Sequence, residues 1–210
     1  MRPYNITVIG KSGQLARALS KFNADDRYNI KCYGRDVIDL TKDVKKLSNF
    51  INNLESTDIV INSAAYTAVD EAEREPELAM KVNSEAPGVL ARLCLNSEIP
   101  FIHISTDYVF NGKNKKPYQV NDLTEPLGVY GASKLAGEKA VLSVGGFGFI
   151  MRTAWVYDGT GKNFLTTILK VANKSKSINI VNDQFGRPTY SGHLAEAILQ
   201  TVPKIINKKI

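Results

Sequence analysis

The chain has 210 residues, 43% of them hydrophobic, which suits one domain, or one domain and part of another, with a sizeable core. Its net charge of +6 is dispersed apart from small clusters between Lys113 and Lys116 and at Lys208-Lys209; it suits an anionic small molecule, and with no basic helix carrying interleaved aromatics a nucleic-acid module is not expected. No signal-peptide pattern and no long apolar span appears, so the expectation is a soluble cytoplasmic protein without membrane contact.

Tyr4 to Ile9 is a short β-branched run that ends at Gly10-Lys11-Ser12-Gly13-Gln14-Leu15-Ala16. Leu15, Ala18, Leu19 and Phe22 then repeat at helical spacing. Strand, glycine turn and helix in that order suit a dinucleotide: Gly10 for the turn, Gly13 for close approach of backbone N–H groups to a pyrophosphate, Ala16 for tight helix–strand packing. The middle glycine of the usual GxGxxG is absent, so position at the N-terminus carries the reading. Asn29 to Tyr33 reads as a second strand, and Cys32 in it, like Cys94 later, reads as a buried, inert thiol. Gly34-Arg35 at its end leans toward the phosphate of NADPH, while Asp36 keeps NADH open.

Thr41 is expected to cap a helix reaching about Leu54, with Val44, Leu47, Phe50 and Ile51 as core. Asp58 to Ile61 reads as a buried strand followed by the small residues Asn62-Ser63-Ala64-Ala65 and Tyr66-Thr67, which let a flat cofactor lie close. Glu71 to Glu77 reads as solvated, and a long helix with Met80, Val82, Leu90, Leu93 and Leu95 follows to Asn96. Asn83 in it reads equally as an active-centre residue or a buried hydrogen-bonded amide.

Phe101 to Ser105 is a fourth strand, and in an open parallel sheet ligands bind beyond the strands' carboxyl ends, where Ser105 and Thr106 could donate to a reacting oxygen. His103 alternates with Ile102 and Ile104 and reads as a sheet residue. Next come a lysine-rich loop and the run Val129 to Glu138. Tyr130 and Lys134 are four apart, so a helix projects both from one face. A tyrosine keeps its proton to a pKa of about 10; a neighbouring ammonium is expected to lower that and fit the phenol for proton transfer.

Phe147 to Met151 reads as a fifth strand, Asn163 to Val171 as helix, Ile178 to Val181 as strand, and Gly192 to Val202 as a last helix. Trp155, just past the fifth strand, reads either as a stacking platform for a sugar or base or as core. The alternation predicts a doubly wound parallel sheet over 1–203, with a basic, frayed tail at 204–210.

With these segments in order, the chain resembles the extended short-chain dehydrogenases/reductases, NAD(P)-binding proteins of Rossmann-like fold, and among them the dTDP-4-dehydrorhamnose reductases. The runs that carry the resemblance are Ser105 to Phe110, Tyr130 to Glu138, Arg152 to Tyr157 and Asp183 to Thr189, with Gly10 to Leu15 and Asn62 to Asp70 in support. The resemblance implies reduction of the C4 ketone of dTDP-4-dehydro-L-rhamnose by NADPH or NADH. It implies a catalytic Thr106, Tyr130 and Lys134. It places the cofactor on Gly10, Ser12, Gly13, Gln14, Leu15, Arg35, Asp39, Leu40, Ala64, Ala65, Tyr66, Thr67, Tyr130 and Lys134. The dTDP-sugar falls to Thr106, Asp107, Tyr108 and Trp155. Magnesium and a homodimer are left open, and the sequence shows no ligand set for the metal. The family also adds a strand and a small lobe after the last helix, so the substrate lobe is expected to be incomplete here. Two other readings stand beside this one: a non-catalytic NADP-binding subunit like the regulatory subunit of methionine adenosyltransferase, and a reductase or epimerase for another nucleotide-sugar.

Overall fold

The structure is a computed structural model and describes residues 2–146, 148–174 and 177–207. Five β-branched or apolar runs form one parallel sheet: β1 (Tyr4–Ile9), β2 (Tyr28–Tyr33), β3 (Ile59–Asn62), β4 (Phe101–Thr106) and β5 (Gly148–Thr153), in the spatial order β2-β1-β3-β4-β5. The helices are α1 (Gln14–Ser20), α2 (Val44–Asn52), α3 (Val69–Ala72), α4 (Pro76–Met80), α5 (Ala86–Asn96), α6 (Val129–Ser143), α7 (Phe164–Ala172) and α8 (Ser191–Asn207). A short parallel pair, β6 (Val156–Tyr157) with β7 (Thr189–Tyr190), stands apart from the main sheet.

Strand alternation divides the core in two. Ile6, Val8, Ile59, Ile61 and Ile102 face Leu15, Leu19, Leu194 and Ile198 of α1 and α8. Ile9, Val60 and Phe101 face Leu47, Ile51, Leu90 and Val141 of α2, α5 and α6. Each fully buried Leu, Ile or Phe contributes roughly 1.5–3 kcal/mol through area removed from water. Both faces covered by helices is what a parallel sheet needs, and the expected doubly wound architecture is present.

Four boundaries depart from expectation. Thr41 does not cap α2: its N–H and hydroxyl both donate to Asp39 Oδ1 (2.9 and 2.8 Å), and Asp43 accepts from Lys46 N–H at the helix start instead. The long helix to Asn96 contains a π segment, Lys81–Glu85, between α4 and α5. Ile178 to Val181 is not a strand; Ile180 and Val181 are exposed and find no neighbouring strand among the described residues. α8 runs on through Asn207, into the stretch read as a tail, whose last three residues, like Phe147 at the expected start of the fifth strand, lie outside the described residues.

The acidic stretch is not merely solvated. Gly128 at the start of α6 has no capping side chain, and Glu73 supplies one by accepting from Val129 N–H at 2.7 Å. Cys94 is buried, and burial pushes its thiol up to about 12. Cys32 is only half-buried; its thiol donates to the Ala16 carbonyl at 3.6 Å and is likewise raised by burial.

Candidate active site

The carboxyl ends of the parallel strands place the site. Past β1 the chain turns at Gly10, whose φ of +113° and neighbours admit no side chain: a Cβ there would lie 2.8 Å from both Ala64 N and Ser63 Oγ. Gly13 begins α1 with no side-chain cap; its own N–H donates to the Gly10 carbonyl at 2.8 Å, and the first N–H groups of α1 beyond it have no side-chain acceptor there. Above this turn is a cleft of about 280 Å³. Gly10, Ser12, Gly13, Arg35, Asp39, Leu40, Ala64, Ala65 and Thr67 line it, as the sequence suggested, with Lys11, Gly34 and Ser63 from the same runs; Ile38, Thr41 and Val82, which it did not assign to the cofactor, line it too.

Other expected cofactor residues sit elsewhere. Leu15 is in the core. Gln14 is tied by its amide to the Val156 carbonyl and to Asn163. The Tyr66 hydroxyl donates to Glu75 at 2.6 Å, which pushes its pKa up to about 12.

Thr106 ends β4, and its hydroxyl caps the 3-10 turn Asp107–Val109 by accepting from Tyr108 N–H at 3.2 Å, while its proton goes to Asp107 at 3.2 Å. Burial raises the Asp107 carboxyl above the usual range. Tyr108, exposed, stands edge-on to Tyr130 with ring centroids 5.5 Å apart. Tyr130 lies in the first turn of α6, and that turn is held in depth: Ser133 Oγ donates to the Tyr130 carbonyl and accepts from Asn83 Nδ2 (2.8 and 3.0 Å). Asn83, fully buried in the π segment, also bonds the backbone of Tyr66 in both directions (2.8 and 3.0 Å). Of its two readings, the structure shows the hydrogen-bonded amide.

Lys134 is 2% exposed. Its Nζ donates to the Ile104 carbonyl at 2.6 Å and lies 3.2 Å from His103 Nε2. The electrostatic expectation for the pair is corrected. Burial holds the Tyr130 phenol above its ordinary value, with the Thr106 hydroxyl working against it. Burial also pulls Lys134 down to about 7, against the pull of Glu138. The Lys134 ammonium group is bonded to β4, and burial, not the lysine, sets the direction of the phenol's shift. His103 is the sheet residue expected, yet it touches Lys134, a contact the sequence reading missed; its signal was one polar residue at an inward position of an apolar strand.

Trp155 is not core. It is 40% exposed with φ of +45°, and Gly186 packs on its indole so closely that a Cβ would lie 2.4 Å from it. Strain of this kind costs on the order of 1–3 kcal/mol and gathers at functional sites. Among the described residues, Ser105 Oγ and Thr153 Oγ1, at the ends of β4 and β5, are buried without a hydrogen-bond partner. Among the described residues no group of three or more His, Cys, Asp or Glu is placed to hold a metal ion, and no helix is long and apolar enough to cross a membrane.

A family model described as the RmlD substrate binding domain matches residues 4–210. The chain is 42% identical over 199 residues to a dTDP-4-dehydrorhamnose reductase of Mycolicibacterium smegmatis, covering 94% of this chain and 60% of that protein, less than two thirds of its length. It is 36% identical over 206 residues to the dTDP-4-dehydrorhamnose reductase of Salmonella typhimurium, covering 97% of this chain and 69% of that one. The crystal structure of a dTDP-4-dehydrorhamnose reductase from Bacillus anthracis in complex with NADP superposes with a TM-score of 0.90 at 31% identity, covering 97% of this chain and 72% of that one. A family match over nearly the whole chain, together with these identities, places the chain in the dTDP-4-dehydrorhamnose reductase family.

Proposed function

We propose that the chain carries the cofactor-binding and proton-donating part of a reductase that converts the C4 ketone of dTDP-4-dehydro-L-rhamnose to the alcohol of dTDP-L-rhamnose. The observation that carries this reading is that Thr106, Tyr130 and buried Lys134 gather at the same carboxyl edge of the sheet as the glycine cleft. The sugar comes from the names of the relatives.

The cleft fits a dinucleotide phosphate. Side chains are excluded at Gly10, and a Cβ on Gly34 would lie 2.6 Å from Asp36 Oδ1. Arg35 lines the cleft, Asp36 does not, and the Oδ1 oxygen of Asp39 is taken by Thr41. A guanidinium in place of a free carboxylate favours the phosphate of NADPH over the bare ribose of NADH. When bound, the reduced nicotinamide supplies the hydride. The Tyr130 hydroxyl holds the proton that the product alkoxide takes, and its raised pKa keeps that proton in place through neutral pH. Thr106 is assigned to the ketone oxygen, toward which its hydroxyl would turn the proton it now gives to Asp107, and Asp107, Tyr108 and Trp155 are the candidates for holding the sugar. Lys134 is assigned behind Tyr130, at the nicotinamide ribose.

The test is consumption of NADPH and NADH with dTDP-4-dehydro-L-rhamnose, with the product identified. Formation of dTDP-L-rhamnose supports the reading. Binding of NADPH without turnover would instead favour a binding-only subunit. For cofactor choice, Arg35→Ala is expected to raise the KM for NADPH by roughly 10–100-fold, the loss of about 1.5–3 kcal/mol from a charge-assisted bond. NADH kinetics should barely move, and an equal loss with both cofactors would remove Arg35 from the phosphate site.

A further inference from the structure

Lys134 and Glu138 are four apart on α6, so their side chains leave neighbouring points of one helix face. Both are 2% exposed. A buried carboxylate one turn from a buried lysine is expected to pair with it, because neither charge has water to hold it. These two do not pair. Among the described residues no carboxylate lies within ion-pair distance of Lys134 Nζ, which donates instead to the Ile104 carbonyl of β4 at 2.6 Å.

Arg152 stands between them. From β5 its Nε donates to Glu138 Oε1 at 2.9 Å and its Nη2 to Oε2 at 2.7 Å, a two-pronged bond that takes both oxygens. The guanidinium is itself held in place. Its Nη1 donates to the Val120 carbonyl at 3.0 Å, and its Cζ lies 5.0 Å over the ring of Phe110, which stacks on Tyr118 with centroids 4.2 Å apart. We propose that Arg152 is a positioning residue: by occupying both oxygens of Glu138 it denies Lys134 its neighbouring carboxylate and leaves Nζ on β4, two residues before Thr106.

Without the guanidinium, Glu138 is a buried charge that has lost its partner, a state far costlier than the pair. Lys81, Arg92 and Lys139, on α6 and the segments packed against it, are exposed, and among the described residues Lys134 is the one buried cation. Lys134 is therefore the group that Glu138 would capture, and Nζ would be drawn one turn along α6, away from Tyr130. Where Nζ lies decides whether it can meet a bound nicotinamide ribose. That consequence rests on the reductase reading, but the competition for Glu138 does not.

The test is a set of crystal structures of the cofactor-free protein, read at Lys134 Nζ, beside NADPH affinities. In Arg152→Met, Nζ is expected within ion-pair distance of Glu138 and off the Ile104 carbonyl. Arg152→Met/Glu138→Gln removes the competing carboxylate, and Nζ should return to that carbonyl. NADPH should bind Arg152→Met roughly 10–100-fold more weakly, the loss of a charge-assisted hydrogen bond, and the double variant should recover most of that loss. A merely structural pair could also recover stability in the double variant, but it would leave Nζ in one place throughout. Nζ still on the Ile104 carbonyl in Arg152→Met overturns the proposal. So does an affinity loss that the double variant keeps, which would place the effect in the loop at Val120. Should Arg152→Met fail to fold, Glu138→Gln alone decides: Nζ is expected to stay on the Ile104 carbonyl, and a displaced Nζ would make Glu138 its anchor and overturn the proposal. A wild type that binds no NADPH would remove the reductase reading and leave the positions of Nζ to decide this one.

Discussion

Tyr130→Phe should bind NADPH as the wild type does and lose about 10²–10⁴-fold in turnover, the range for removing a positioned general acid. At about 1.36 kcal/mol per decade, that is roughly 3–5.5 kcal/mol of barrier. Only the hydroxyl is deleted. The ring keeps its edge-on contact with Tyr108, and the turn beneath it stays fixed through its carbonyl by Ser133 and Asn83. Thermal stability should therefore stay close to that of the wild type. Steady-state rates beside a melting curve check both parts. A variant that keeps its turnover to within a few-fold would make Tyr130 a packing residue and move the acid elsewhere.

Gly137→Ala is expected to destabilise the fold and weaken the site together. A Cβ at Gly137 would lie 2.0 Å from the backbone oxygen of Asn83 and 3.1 Å from its carbonyl carbon. Backbone cannot swing away as a long side chain can, so α6 and the π segment must separate. Overpacking costs about 1–3 kcal/mol, and at this chain length each kcal/mol lowers the melting temperature by roughly 2–4 °C. The same Cβ would stand 3.5 Å from His103 Nε2, so the separation should also disturb the contact behind Lys134. Gly159→Ala is the control: nothing lies within 4 Å of its Cβ, and its melting should be unchanged. Equal melting of Gly137→Ala and the wild type would mean that the two segments are not held as described.

Much of this architecture was legible because its signals are local. Five apolar runs, each closed by small or polar residues, announce parallel strands, and glycines just past the first announce a turn that no side chain can enter. Tyr130 and Lys134 were readable because helical spacing alone puts them on one face. Thr106 was readable because ligands of open parallel sheets lie past the strand ends. What stayed hidden was non-local. Glu73 caps a helix 56 positions along the chain, and His103 meets a lysine 31 positions on. Nothing at either end of those contacts marks the partner. Thr41 and Asp43 are both good capping types, and only the competing bond from Thr41 to Asp39 decides between them. The π segment has no composition of its own. Ile178 to Val181 has strand residues but no partner strand beside it among the described residues, and β propensity without a neighbour does not make a strand. The expected help from Lys134 to Tyr130 failed for a similar reason: spacing gives proximity, whereas burial sets the direction of the phenol's shift.

The most direct test of the central claim is a calorimetric titration of the wild-type chain and of Gly13→Val with NADPH. Saturable binding to one site, lost or strongly weakened in the variant, is the predicted result, because a valine side chain at Gly13 would fill the turn against the Gly10 carbonyl. No saturable binding by the wild type, or equal binding by both proteins, would contradict the assignment of the glycine cleft and the reductase reading built on it.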